Sequence, residues 1–512
     1  MLQRKHKCAA TLLLCAIILS NLNACSSPII FHDTPLSDRV ETDSTTPETD
    51  PSDRPPVITD PVTDPDGPTT DTPTDPDADA KEALSALRRE DLDGMNILIA
   101  SAADSAVFGD IFGADDKRGT VLSDLRRSRT QMVEQRYNVR ILNFTFERDA
   151  LYSEIRKAYL SDVPYVADFY AIPYGQLGKF QAEGMLLNLR MLPFTDFSAP
   201  YFDQDAMAAM SAGHAVWGAV GNYTFSPENY YAIFFNRPLS QSLSLTSPYE
   251  LVKNGTWTWE TLMTASLDAR AALDENGAQT VWGDNLANLG LDVCEPLFMD
   301  SGAICITQSA PDTTPALSFD LDSVSSVITL LRSGVHESSV SPKDGAEDAF
   351  TSGNLLYYCG TLSNMSRWSD IAVPWGLVPL PKLNESQNGY STYVGESAVL
   401  CVPSTTGALE ETGMIMQALF AASSGNPLDL YLNEALQYFV RDSATVEMLD
   451  LICSAPRYDF TTMFAGGYNY LNRVSADLVH SGITLNYAPK TVYNNYKAYA
   501  EKELTAAFPL ND

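Results

Sequence analysis

The sequence predicts an α/β fold built in two lobes and preceded by a signal segment and an extended linker. Three observations carry this expectation. Strand-like apolar runs alternate with helix-length stretches between Met95 and Ile172, about 430 residues follow the linker, and the linker itself is almost all Pro, Thr, Asp and Ser. Alternation of this kind implies a parallel sheet covered by helices, and a chain of this length exceeds what one layered core accommodates.

At the N-terminus, Arg4, Lys5 and Lys7 precede an apolar run from about Cys8 to Leu19. The run is shorter than the ~20 residues of a membrane-spanning helix and reads as the core of a signal peptide. Beyond it, residues 25–90 form the expected tether, with "TDPVTDPDGPTTDTPTDPDADA" as its most biased part. Low hydrophobicity, like charge and frequent proline keep such a segment disordered and extended, partly in polyproline II at up to ~3.1 Å per residue. The same composition also suits a binding or glycosylated stalk.

Charge is unevenly spread. Residues 1–24 carry three bases, residues 25–80 carry 14 acids and 2 bases, and the remainder has 51 acids against 28 bases, which makes up the total of −32. An acidic domain disfavours nucleic acid as a partner. Of eight cysteines, Cys294 and Cys305 either pair or remain buried thiols; no CxxC occurs, so neither a zinc ribbon nor a redox motif is supported.

The folded part opens with "MNILIAS", a buried strand, followed by a helix from about Thr120 to Gln135. "VRILNFTF" reads as a strand, and "DALYSEIRKAYL" as a helix with Leu151, Ile155 and Tyr159 on one face. "VADFYAI" reads as a strand from Val166 to Ile172. Ligands of parallel sheets sit beyond the carboxyl ends of the strands, which singles out Ser101 to Asp104 and Asp168 to Tyr174. Asp168 is equally suited to capping the turn beside it. "YYAIFFNRPL" gives a further strand, and Thr258 with Glu260 marks a helix start. Val324, Val327, Ile328 and Leu331 share a helix face. "DAFTSGNLLYYCGT" reads as helix, turn and strand, "WGLVPLPK" and "ESAVLCVPS" as strands, and Ile415, Ala418, Leu419 and Ala422 as a buried helix face.

Two resemblances emerge from these residues. Leu22-Asn23-Ala24-Cys25 resembles the lipobox of bacterial lipoproteins, with Asn23 where that family prefers a small residue. It implies that residues 1–24 are removed and that Cys25 carries the lipid of a membrane anchor. "MNILIAS", "YAIFFN", "TWTWETL", "AFTSGNLLYYCGT", "WGLVPLPK" and "GESAVLCVPSTT", in that order, are similar to the segments of the extracellular solute-binding proteins of ABC importers, in their sugar-binding group. Asn354, where the family often has lysine, and the insertion from about Gly290 to Phe319 depart from its pattern.

The second resemblance implies the two-lobed, periplasmic-binding-protein-like type II fold, with crossing hinge strands near Tyr231–Asn236 and Tyr393–Val402. Lobe 1 would comprise about 92–233 and 394–440, and lobe 2 about 236–392 and 441–512. The lobes of such a fold close on a ligand like a clamp. Sugar binding needs polar side chains around the ring and an aromatic surface against its C–H face. The candidates are Ser101, Asp104, Asp168, Tyr170, Tyr174 and Glu396, faced by Trp282, Asp284 and Thr361 from the other lobe; Tyr468, Asn469 and Tyr470 are further candidates, whereas Trp259 reads as core.

The expected partners are a sugar or oligosaccharide, ABC permease subunits and the membrane at the extracellular face of a Gram-positive-type envelope. The protein is expected to be a monomer without cofactor. A glycosidase remains the enzymatic alternative, since many carboxylates are available. His214, His336 and His480 fall in no metal-binding spacing, and no GxSxG, P-loop or GxGxxG occurs. A surface sensory or adhesive binder is the third reading.

Overall fold

The computed structural model describes residue 75 and residues 77–102, 121–161, 165–212, 215–271, 281–286, 304–308, 315–333, 341–342, 344–394, 397–425, 427–440 and 442–458, and, towards the C-terminus, 462–463, 490–491, 494, 501–502 and 504–505. The chain divides into two units, Met1–Pro76 and Asp77–Asp512, and the fold is that of the second. Cys25 lies outside the described residues, as do Asp104, Cys294, Glu396 and residues 468–470.

Part of the expected tether, drawn to residue 90, is helical. Ala78–Ala86 form helix α1, with Ala80 and Leu84 buried. The composition of the linker hides this stripe: Ala80, Leu84 and Leu87 recur at helical spacing, and that is enough apolar surface to dock α1 on a helix at Leu409–Ala421.

The chain then runs through β1 (Met95–Ala102), α2 (Val121–Tyr137), β2 (Val139–Phe146), α3 (Arg148–Tyr159) and β3 (Phe169–Pro173). Here the alternation expected from the sequence holds, and β2 and β3 both pair parallel to β1. Val133, Tyr137, Leu151 and Ile155 are buried against the sheet. β3 starts three residues later than the apolar run suggests. Val166 and Ala167 are apolar because they are buried, but the N–H of Leu98 is taken by the Asp168 carboxylate at 2.9 Å, so the regular strand begins after it.

From Tyr231 the chain enters a second sheet through β4 (Tyr231–Asn236), and α4 (Trp259–Arg270) follows. Thr258 caps α4 as expected, its Oγ1 accepting from the Thr261 N–H. The insertion forms an antiparallel pair, β5 (Ile304–Thr307) with β6 (Ala316–Phe319), ahead of α5 (Leu321–Ser333). After α6 (Ala346–Thr351), Gly353 turns the chain at φ +87°, a left-handed conformation that glycine adopts without strain. β7 (Tyr357–Thr361) and β8 (Trp375–Val378) then flank β4, both antiparallel to it. The second sheet, in order β7-β4-β8, is therefore antiparallel in its described strands.

β9 (Thr392–Tyr393) leads the chain back. β10 (Ala398–Cys401) joins the edge of the first sheet antiparallel to β3, giving the order β10-β3-β1-β2. Gly218 makes room for this return: a Cβ there would lie 2.2 Å from Val399 Cγ1, while Ala219 and Leu400 exchange backbone hydrogen bonds beside it. Three helices follow. α7 (Leu409–Ala421) packs on α1 and α2, α8 (Pro427–Tyr438) packs on α2 and on α9 (Ser443–Cys453), and α9 lies against β8. The short strand β11 (Pro456–Arg457) pairs parallel with β9. Among the described residues, no helix is long and apolar enough to cross a membrane.

Candidate functional site

The segments that carry the chain between the two sheets meet beside β9, and five tyrosines gather there. Tyr174 follows the carboxyl end of β3; its N–H donates to the Ser397 carbonyl on the returning chain at 2.8 Å, and its ring meets Tyr458 edge-on with centroids 5.2 Å apart. Tyr458 follows β11 and interacts through its hydroxyl with Tyr230, the residue before β4. Tyr393 stands opposite Arg457 in the β9–β11 pair and meets Tyr231 edge-on at 6.0 Å. Tyr231 in turn is opposite Thr361, the last residue of β7. An aromatic line thus runs from the exit of β3 in one sheet to the exit of β7 in the other.

Sequence reasoning placed Tyr174 and Thr361 at this junction and missed Tyr230, Tyr231, Tyr393 and Tyr458 as site residues. Tyr231 and Tyr393 were legible as ends of the crossing segments. Tyr458 carried no signal, because the strand before it has only two residues.

The other candidates have different surroundings. Ser101, at the end of β1, is buried and donates to Asn143 Oδ1 at 2.9 Å. Tyr170 lies within β3, between Ala100 and Cys401, buried beneath both neighbours. Asp168 is at the entry of β3 rather than its exit, where its carboxylate accepts from the Leu98 N–H and from the Tyr165 hydroxyl at 3.1 Å. Burial raises the phenol of Tyr170, and the charge of Asp168 adds to the effect.

In the second sheet, Trp282 is half-buried and extends the strand region by pairing with Asn354 and Leu356 through its backbone at 2.8 and 3.0 Å. Asp284 is buried and accepts from the Leu286 N–H and the Ser341 hydroxyl, each at 3.0 Å; burial raises its carboxyl. Thr361 is half-buried, with its hydroxyl 2.7 Å from that of Ser363. The structure therefore joins Tyr174 and Thr361 through intervening tyrosines, whereas Asp168 and Asp284 spend their carboxylates on internal donors.

Chemically, the junction presents the half-buried rings of Tyr231 and Tyr458, packed over the buried Tyr174, Tyr230 and Tyr393. Both suit the recognition of a neutral polar ligand with a C–H face. The described thiols are unsuited to nucleophilic work: Cys359, Cys401 and Cys453 are free and buried, and burial pushes the Cys359 thiol up to about 12. Among the described residues, no three His, Cys, Asp or Glu side chains converge as metal ligands would.

Two sheets linked by crossing segments around a shared junction define the two-lobed α/β architecture of the solute-binding proteins. The solved structures agree. The chain is similar to the cyclic α-maltosyl-1,6-maltose binding protein of Arthrobacter globiformis, with 12% identity over 80% of this chain and 99% of that one at a TM-score of 0.53. It is also similar to the galacto-N-biose/lacto-N-biose I-binding protein of the ABC transporter from Bifidobacterium longum, solved with lacto-N-biose, with 10% identity over 81% and 98% of the chains and a TM-score of 0.53. At such identities the likeness concerns the fold, which is the periplasmic-binding-protein-like type II fold. No family model and no curated protein matches the sequence.

Proposed function

We propose that this protein is a membrane-anchored extracellular solute-binding protein that captures a sugar or oligosaccharide for an ABC-type importer and does not alter it. The observation that supports this most is the pair of half-buried rings, Tyr458 and Tyr231, where the chain crosses between the sheets, each backed by a buried tyrosine, Tyr174 and Tyr393. Ring faces of this kind can pack on the C–H face of a sugar while hydroxyls meet its polar rim. The names of both similar structures, a binder of a cyclic maltose derivative and a binder of lacto-N-biose, are in keeping with it. Lobe 1 is drawn as about 92–233 and 394–440 and lobe 2 as about 236–392 and 441–512, with Cys25 as the point of lipid attachment and permease subunits as partners.

A chain beginning at Asp75 keeps α1 intact and is the form to test. Its melting temperature is measured against mono-, di- and oligosaccharides, amino acids and short peptides, with analysis of the products. A ligand at ~100 times Kd stabilises by about 2.7 kcal/mol. A sugar that shifts the melt and is recovered unchanged supports the proposal. A cleaved sugar makes the protein a glycosidase, and no shift with any solute favours a surface sensory or adhesive role. For the anchor, Cys25→Ala should move the full chain from the membrane fraction to the medium; retention in the membrane would refute lipidation.

A further inference from the structure

The second sheet borders a cavity at the end that faces away from the tyrosine junction. β4 begins at Tyr231, in the junction, and ends at Asn236, which pairs with Trp375 at the start of β8. Five residues of strand, at about 3.3 Å each, separate the two ends by roughly 17 Å. Arg237 follows Asn236 directly, and with the start of β8, the end of α8 and the start of α9 it encloses a space of about 380 Å³, its open mouth included. The apolar lining includes the buried Trp368 and the half-buried Trp375 and Phe439. Tyr438, 56% exposed, stands next to Phe439 with ring centroids 6.4 Å apart, so aromatic surface continues from the cavity to the outside.

The polar part of the lining is an ion pair held in place from both sides. Asp442 caps α9: its Oδ1 accepts from the Thr445 N–H at 2.9 Å, and its Oδ2 accepts from the Thr445 hydroxyl at 2.9 Å and from Arg237 Nη1 at 3.0 Å. The Arg237 backbone is fixed by its N–H, which donates to the Pro374 carbonyl at 3.1 Å. Among the described residues, Arg237 Nε and Nη2 have no acceptor, and Asp442 Oδ1 keeps one lone pair. A carboxylate ligand would meet the charge of Asp442 and an ammonium that of Arg237, so the pair favours a neutral molecule. Two adjacent hydroxyls fit it: one accepts from the guanidinium while the other donates to the carboxylate, and the ring that carries them can lay its C–H face on an aromatic side chain. We propose that this cavity is a second carbohydrate site, which takes one sugar residue by a vicinal diol on Arg237 and Asp442 and by a ring face on Trp375 or Phe439. It shares no residue with the tyrosine junction and does not depend on what the junction takes.

The test is a nuclear magnetic resonance titration of the isotope-labelled chain beginning at Asp75, followed through the indole N–H signals of its six tryptophans. The signal of Trp375 is identified by its absence in Trp375→Phe or by backbone assignment. Methyl α-glucoside, methyl α-galactoside and methyl α-mannoside are added in turn up to tens of millimolar. At least one should move the Trp375 signal along a saturating curve, and Arg237→Gln should weaken that binding several-fold. Benzoate, which has a flat apolar ring and a carboxylate but no diol, should leave the signal in place. If no glycoside moves the signal in the unmutated chain, the site is refuted, whether or not the variants fold. A shift of equal affinity in Arg237→Gln, or tighter binding of benzoate than of every glycoside, also overturns the assignment. A missing solute at the junction would leave this readout intact, so the two readings fail separately.

Discussion

Asp168 and Tyr174 are six residues apart and were equally attractive as ligand groups in the sequence. Their surroundings separate them. Replacing Asp168 by Ala strips the buried Leu98 N–H of its acceptor, which should cost about 1–3 kcal/mol. Thermal melting of Asp168→Ala should therefore drop while affinity for a bound sugar stays within about twofold. Tyr174 is fully buried, so the test falls to the half-buried rings beside it: Tyr231→Ala and Tyr458→Ala should behave the other way in calorimetric titration, weakening binding by about tenfold as ~1.4 kcal/mol of ring contact is lost. Undiminished affinity in both variants would remove the tyrosines from the site. The residue types were legible from the sequence, but the strand end was not: Val166 and Ala167 prolong the apolar run of β3, and only the side-chain hydrogen bond to Leu98 shows where the strand starts.

Among the elements, α4 was the most legible, because Thr258 and Glu260 announce its start and Trp259, read as core, is buried. α1 was the least legible. Its nine residues directly follow a proline- and aspartate-rich run, and a composition read over a long window averages its two buried side chains away. Leu84→Ala should lower stability by about 2–3 kcal/mol as measured by urea unfolding, and a chain starting at residue 91 should lose at least as much. If the shorter chain melts like the longer one, α1 does not belong to the folded unit. β10 was read as a strand, yet the sheet it would join was not deducible from local pattern, since its partner β3 is far away in the chain.

For the molecule as a whole, length alone suggested two lobes, and the order of weak motifs identified the fold that the solved structures also point to. The tyrosine junction needed coordinates, because it assembles from four separate segments. Burial of phenols and of a thiol across the fold has an effect on pH dependence. Burial pushes Tyr249 and the Cys359 thiol up to about 12, and raises Tyr230 and Tyr431 well beyond the usual phenol range. An unfolded chain gives up these protons near their ordinary values while the folded chain keeps them. Stability should therefore fall steadily as pH climbs through and above ~10, and chemical unfolding midpoints measured between neutral and strongly alkaline pH should show it. A midpoint constant over that range would contradict the burial of these phenols.

The return of β10 to the first sheet also governs the order in which the protein can be made. β3 has Tyr170 paired with Cys401, so one edge of the first sheet stays open until nearly four-fifths of the chain has left the ribosome. Closing so long a loop is slow and is repaid only at the end. The early part of the chain consequently waits for the last third of the sequence before its sheet is complete.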